Sequence, residues 1–189
     1  MKGKEDVNVT SHRQERGGAR WIHGINAVQR RLEVRPQSVI EMHMLRRPSG
    51  RLARLARMAE GRIPLRYGDA EHLRRLTGTA AHQGVAARTG PFQYQALEAA
   101  VTSPRGGVLL LDQVQDPRNF GALLRTASAA GVGVVVIPRQ GSVGVTPTVE
   151  KAAAGAVNDV AVCRVSNLAR ALRWVRGQGF WRVGLAPAG

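Results

Sequence analysis

The stretch Leu111-Asp112-Gln113-Val114-Gln115-Asp116-Pro117-Arg118-Asn119-Phe120-Gly121-Ala122-Leu123-Leu124-Arg125-Thr126-Ala127 decides how this chain is read, because it joins an apolar strand to a capped helix. Asp116 suits the N-cap, where its carboxylate accepts from free backbone N–H groups, and Pro117 suits the first helical position, where a missing N–H costs nothing. A helix that starts directly after a strand presents free N–H groups at the carboxyl edge of the sheet, the edge where open α/β sheets bind ligands. Projected at about 100° per residue, Phe120, Leu123, Leu124, Ala127 and Gly131 form the stripe that packs on a sheet. Gly121, Arg125 and Ser128 flank that stripe on one side, and Asn119 lies on the other flank with Thr126. An ideal helix does not aim Asn119 and Arg125 at one point, so joint action requires an irregular first turn or two subunits sharing a site. On chemistry alone Arg125 can bind a phosphate or carboxylate and Asn119 can tie down a loop, or the pair can be structural.

Downstream the alternation continues. The spacing predicts strands at 108–111, 134–137, 160–165 and 180–185, with helices at 117–130, 146–153 and 168–176 between them. Strands this apolar predict a parallel sheet covered on both faces. Upstream, helical spacing from Gly24 through Ile25, Val28 and Leu32 precedes an extended stretch at 38–45 and a helix at 51–59 whose Arg51, Arg54 and Arg57 lie off the apolar stripe. Strands at 63–67 and 84–88 around a helix at 70–76 complete a small α/β unit. Turn-rich segments bracket a short helix at 96–101, so the reading is a flexible basic arm at 1–18, a first domain at 19–90, a linker at 91–106 and a second domain at 107–189. Two glycine clusters, at 131–133 and 141–144, lack the third glycine and the Gly-Lys-Ser/Thr ending of nucleotide loops and are read as turns.

Composition bounds the partners. The 189 residues are 43% hydrophobic, enough for true cores, and carry a formal charge of +15, which predicts an anionic partner. All but three of the 28 cations are arginine, a planar multi-donor fork for phosphate, although codon bias explains that preference equally well. Residues 1–90 hold 18 cations and 8 acids, or +10 of the +15, so the first half is the expected nucleic-acid-facing half. No apolar run reaches the roughly 18 residues of a membrane helix, and the first residues lack the apolar core of a signal peptide. The chain is read as soluble and cytoplasmic, with no membrane partner. Cys163, the single cysteine, excludes an internal disulfide, is expected to be a buried structural thiol, and leaves no metal site expected.

The 111–127 stretch resembles motif one of the SpoU/TrmH-type RNA 2′-O-ribose methyltransferases, approximately Leu-Asp-x-Val-x-Asp-Pro-x-Asn-x-Gly-Ala-x-x-Arg-Thr-Ala. The similarity extends through Lys151-Ala152-Ala153-Ala154-Gly155-Ala156 and 165–172, and back to His23-Gly24-Ile25-Asn26-Ala27-Val28 and His82-Gln83-Gly84-Val85-Ala86. Together these most resemble the branch that methylates a guanosine ribose in large-subunit ribosomal RNA. The resemblance implies an α/β protein: a small N-terminal α/β RNA-binding domain, similar to RNA-binding ribosomal proteins, followed by a parallel-sheet α/β-knot (SPOUT-like) methyltransferase domain.

It further implies S-adenosylmethionine as cofactor, ribosomal RNA as partner, and a homodimer where the full catalytic domain is present. Arg125 matches the family's active-site arginine and Asn119 its motif-one asparagine, the two expected catalytic residues. A guanidinium stays charged, so phosphate clamping and hydroxyl polarisation suit Arg125 better than proton removal. Arg46, Arg47, His82 and Gln83 are the expected RNA-binding residues, His82 being either structural or RNA-contacting. Family members carry a Gly-x-Glu-x-x-Gly cofactor loop and a Ser-Leu-Asn segment beyond the last strand read here. The catalytic domain is therefore expected to be incomplete at its C-terminus, with only Gly184, Leu185 and Ala186 bordering the cofactor pocket. A transfer-RNA 2′-O-methyltransferase, a non-catalytic RNA-binding protein and an inactive fragment are the alternatives.

Overall fold

A computed structural model of the chain describes residues 20–102 and 106–185. The arm expected at 1–18 and the candidate Ala186 lie outside the described residues. The first unit comprises β1 (Arg20–His23), α1 (Ile25–Val34), β2 (Val39–Leu45), α2 (Gly50–Ala59), β3 (Leu65–Gly68), α3 (Ala70–Thr77) and β4 (Val85–Thr89). Its sheet has the order β1-β4-β2-β3, with β4 antiparallel to both neighbours and β3 parallel to β2. Ile22, Val28, Leu32, Met42, Met44, Leu55 and Val85 form its core. The expected elements are present, together with β1, whose four residues are too few for periodicity to reveal.

The second unit comprises α4 (Leu97–Ala100), β5 (Gly107–Leu110), α5 (Pro117–Ala129), β6 (Val132–Pro138), α6 (Pro147–Ala152), β7 (Ala161–Val165) and α7 (Leu168–Gly177). Its strands pair in the order β5-β6-β7, all parallel. They follow one another in chain order, so the described residues hold the parallel sheet and not the knot. Alternation along β6 sorts the core into two layers. Val135 and Ile137 pack with Phe120, Leu124 and Ala127 of α5 and Val149 of α6, while Val134 and Val136 pack with Leu97 beside α7's Ala171 and Val175. Both faces are covered, as the apolar strands require. Cys163 is fully buried, and burial pushes its thiol up to about 12, which keeps it inert.

Two stretches differ from the sequence reading. The segment 180–185, expected as a strand, has no regular structure, and Trp181, Val183 and Leu185 are exposed. An apolar run becomes a strand only where a neighbour satisfies its backbone, and none of the described strands pairs with it. The segment expected as a linker is packed over much of its length: Gln95 bridges to Cys163 in parallel, its N–H donating to Val162 O at 3.0 Å, and Phe92 and Tyr94 cover the α5 face.

Gly121 fixes the spacing of α5 against α6. A Cβ there would lie 2.4 Å from Ala152 Cβ, 2.8 Å from Val149 O and 2.9 Å from Ala153 N. Two of these obstacles are backbone atoms, so the helices must part. Gly121→Ala gains about 1 kcal/mol of helix propensity but incurs overpacking of about 3 kcal/mol. The net expectation is a lower urea midpoint, and a midpoint unchanged or raised would contradict this packing.

Candidate active site

Because β5, β6 and β7 run parallel, the loops at 111–116, 139–146 and 166–167 gather at one carboxyl edge. They are tied to each other. Val143 N donates to Val114 O at 2.9 Å and Arg139 N to Val165 O at 2.9 Å. The Tyr94 hydroxyl accepts from Val145 N at 2.8 Å, and the Arg164 guanidinium lies over the Tyr94 ring, 5.1 Å from its centre. Ser142 Oγ is buried here without a hydrogen-bond partner among the described residues.

α5 starts at this edge as its sequence requires. Asp116 Oδ1 accepts from Arg118 N and Asn119 N, both at 2.8 Å, and Pro117 occupies the first turn. Asn119 is therefore held in regular helix rather than in an irregular turn. Both Asn119 and Arg125 are exposed, and no hydrogen bond or ion pair engages the Arg125 side chain among the described residues. Six residues at about 100° each leave the two side chains roughly 120° apart around α5. One subunit does not bring them together.

The other expected site residues fall in different places. Arg46 and Arg47 are exposed between β2 and α2, with no side-chain hydrogen bond or ion pair among the described residues, and the charge of Arg46 helps hold the Asp69 carboxyl down. His82 is buried, and its Nδ1, accepting from Gly84 N at 3.0 Å, ties it into the turn before β4. Gln83 is exposed, but its Oε1 accepts from Ile25 N at 2.9 Å and so caps α1, whose N-cap residue Gly24 has no side chain. Gly184 and Leu185 are exposed, with nothing near the position of a Gly184 Cβ. This pair alone does not form a pocket for a methyl donor.

Sequence reasoning missed what joins the two units. Glu150 on α6 is buried to 1% exposure, and its Oε1 accepts from Arg20 of β1 at 2.8 Å and from Arg31 of α1 at 2.6 Å. Burial pushes the Glu150 carboxyl up while Arg20, Arg31 and Arg35 pull it down. Arg20 also donates to Val145 O at 2.7 Å and lies over the Phe92 ring. Nearby, Arg30 pairs with Asp159, Lys151 donates to Ala81 O, and Gly155, at φ +100°, leaves room for Arg30 where a Cβ would come within 2.6 Å of Arg30 Cβ. The available signal was an acid directly beside Val149 on a short apolar helix, an expensive position for an unpaired charge.

His23 lies at the same junction, buried to 6% exposure. Burial, then the charges of Lys151 and His82, depress its imidazole from 6.5 to about 4. The folded protein thus holds His23 neutral, and its contribution is complete above about pH 6.5 and lost as pH falls toward 4, where the unfolded chain binds the proton first. At 1.36 kcal/mol per unit the loss is about 3 kcal/mol. Denaturant titrations between these pH values should show this slope, and His23→Gln should flatten it; an equally steep variant would assign the slope to other groups.

Residues 107–189 match the SpoU rRNA Methylase family, and residues 21–95 match the family described as RNA 2'-O ribose methyltransferase substrate binding. The 23S rRNA (guanosine-2'-O-)-methyltransferase RlmB of Xanthomonas campestris pv. campestris is 42% identical over 173 residues, which are 88% of this chain and 70% of that protein. The chain belongs to the SpoU rRNA methylase family. The SpoU relative RlmB of Escherichia coli K12 is 38% identical over 87% of the chain and 70% of its own length. Two solved structures share the fold: the SpoU methyltransferase AviRb from Streptomyces viridochromogenes in complex with AdoMet (TM-score 0.68, 18% identity, 86% of this chain and 60% of that one) and the AdoMet-bound rRNA methyltransferase from Sinorhizobium meliloti (TM-score 0.65, 21% identity, 85% and 59%). The chain thus spans about 60% of the length of these two solved chains.

Proposed function

We propose that the protein methylates the ribose 2′-hydroxyl of a guanosine in large-subunit ribosomal RNA, with S-adenosylmethionine as methyl donor. The observation that carries this reading is Arg125: an exposed guanidinium without a partner among the described residues, on the helix that begins at the carboxyl edge of the parallel sheet. A ribose hydroxyl is a poor nucleophile, so a site must orient it and assist loss of its proton. Arg125 does the first by clamping an adjacent phosphate through two donors and by polarising the hydroxyl. It keeps its own protons, so the proton passes to the substrate phosphate or to another group. Asn119 positions the reacting segment. Because the two side chains diverge on α5, we read the working site as shared between two subunits of a homodimer. Arg46 and Arg47 bind RNA at the tip of the small domain.

No helix among the described residues is long and apolar enough to cross a membrane, and we read the protein as cytoplasmic. Calorimetric titration of the full-length gene product with S-adenosylmethionine tests the assignment. Saturable binding is expected in a protein that also binds ribosomal RNA. RNA binding without saturable donor binding would leave a non-catalytic RNA-binding protein in its place.

A further inference from the structure

Positive charge on this chain is not distributed as its arginines are. In the small unit many are neutralised where they stand: Arg20 and Arg31 by Glu150, Arg30 by Asp159 and Glu33, Arg66 and Arg88 by Glu41, and Arg74 by Glu71. The last part of the sequence is different. From Val160 to Gly189 there is no acidic residue, and five arginines occur. Three of them, Arg170, Arg173 and Arg176, are exposed on α7, and none of the three side chains has a hydrogen bond or ion pair among the described residues.

Helical geometry makes them one row. Steps of three residues place successive arginines about 60° apart around the axis and about 4.5 Å apart along it, so the row is roughly 9 Å long. Ala171 and Val175, both buried against the sheet, mark the opposite side of the helix, and Arg173 points most directly away from it. A solvated helix face ordinarily mixes signs, as Glu71 and Arg74 do on α3 at 2.8 Å. Like charges at this spacing repel by a few tenths of a kcal/mol per pair, so the row is favourable only when an anion lies across it.

Its place in the fold suggests which anion. α7 begins at the same carboxyl edge as α5, with Asn167 Oδ1 accepting from Arg170 N at 2.8 Å, and it covers the sheet face opposite to α5 and α6. Arg170 therefore lies nearest the candidate site, and Arg173 and Arg176 lead away from it. A chain of phosphates leaving that edge meets three guanidinium forks in succession.

We propose that the exposed face of α7 is a second RNA-contacting surface, binding the phosphate backbone of the strand that continues past the active edge. This rests on the reading of RNA as the substrate. It adds a contact face in the catalytic unit, whereas charge counting along the sequence had pointed to the first half alone.

The test is fluorescence anisotropy of the full-length gene product with a labelled single-stranded RNA of about 30 nucleotides, over KCl from about 50 to 200 mM. In Arg170→Gln/Arg173→Gln/Arg176→Gln the slope of log affinity against log salt should fall by about 2, since each single-strand phosphate contact contributes about 0.7. Affinity at about 0.1 M salt should drop roughly tenfold. The corresponding triple lysine variant should keep most of the slope, because charge is retained while the fork is lost. Arg46→Gln/Arg47→Gln should lower affinity independently, the two effects adding as for separate sites. Donor binding should be unchanged in the triple glutamine variant, which separates this proposal from the assigned reaction. An unaltered salt slope and affinity in that variant would overturn it. So would a larger loss of binding to polyglutamate than to RNA, which would assign the face to an acidic protein.

Discussion

Glu150→Ala should lower the stability of the protein by about 3–5 kcal/mol, the cost of leaving buried cations without their partner. Arg31 is the reason for the high value. It is buried to 4% exposure, burial already works against its charge, and its shortest contact is the 2.6 Å bond to Glu150 Oε1. Arg20 keeps the Val145 carbonyl at 2.7 Å and the Phe92 ring, so it is the less affected of the two. The loss should appear in urea unfolding as a lower midpoint, with the junction becoming susceptible to proteolysis near Gly24 of the first unit and Gly155 of the second. Replacing Arg20, Arg31 and Glu150 together by methionine should restore most of the stability, because desolvating three charges is itself costly. A Glu150→Ala protein within about 1 kcal/mol of the parent would mean that water reaches the cluster and that the carboxylate is not a clamp.

Arg125→Ala should reduce methyl transfer by about 100- to 1,000-fold, the range for removing one donor aimed at a reacting group. The loss should fall on kcat more than on RNA affinity if, as proposed, Arg46, Arg47 and the α7 row supply the bulk of the phosphate contacts and Arg125 acts at the reacting nucleotide. Arg125→Lys should recover only part of the rate, because a single ammonium cannot reproduce the two-donor fork. The fold should be indifferent: Arg125 is exposed on α5, and its side chain has no partner among the described residues. A decrease in melting temperature comparable to that of a core variant, or a loss confined to KM, would remove Arg125 from the catalytic role.

Much of this architecture was legible because it rests on local rules. Asp116-Pro117 announces the start of α5 from cap and proline chemistry, and the structure bears it out to the individual N–H groups that Asp116 accepts. The apolar runs at 134–137 and 160–165 announced buried parallel strands, and they are. What was not legible depends on distant partners. The 180–185 run has the pattern of a strand but pairs with none of the described strands, and periodicity cannot report whether a neighbour is at hand. Gln83 was read only as an expected RNA-binding residue, and nothing local showed that its side-chain carbonyl also caps a helix 58 positions earlier in the chain. Gly121 read as a flank residue, while the close approach of α6 is what requires glycine there. Glu150 gave no catalytic signal at all, since its two arginines lie more than a hundred residues away. For Asn119 and Arg125, helix geometry stated correctly that they diverge, and the fold keeps them apart on one chain.

The most direct measurement is methyl transfer itself. The full-length gene product is incubated with S-adenosylmethionine carrying a labelled methyl group and with large-subunit ribosomal RNA lacking ribose methylation, and the label is located by nuclease digestion and mass spectrometry. The predicted result is one labelled 2′-O-methylguanosine, formed by the parent protein and lost in Arg125→Ala. Label on a base, or an Arg125→Ala protein as active as the parent, would contradict the account.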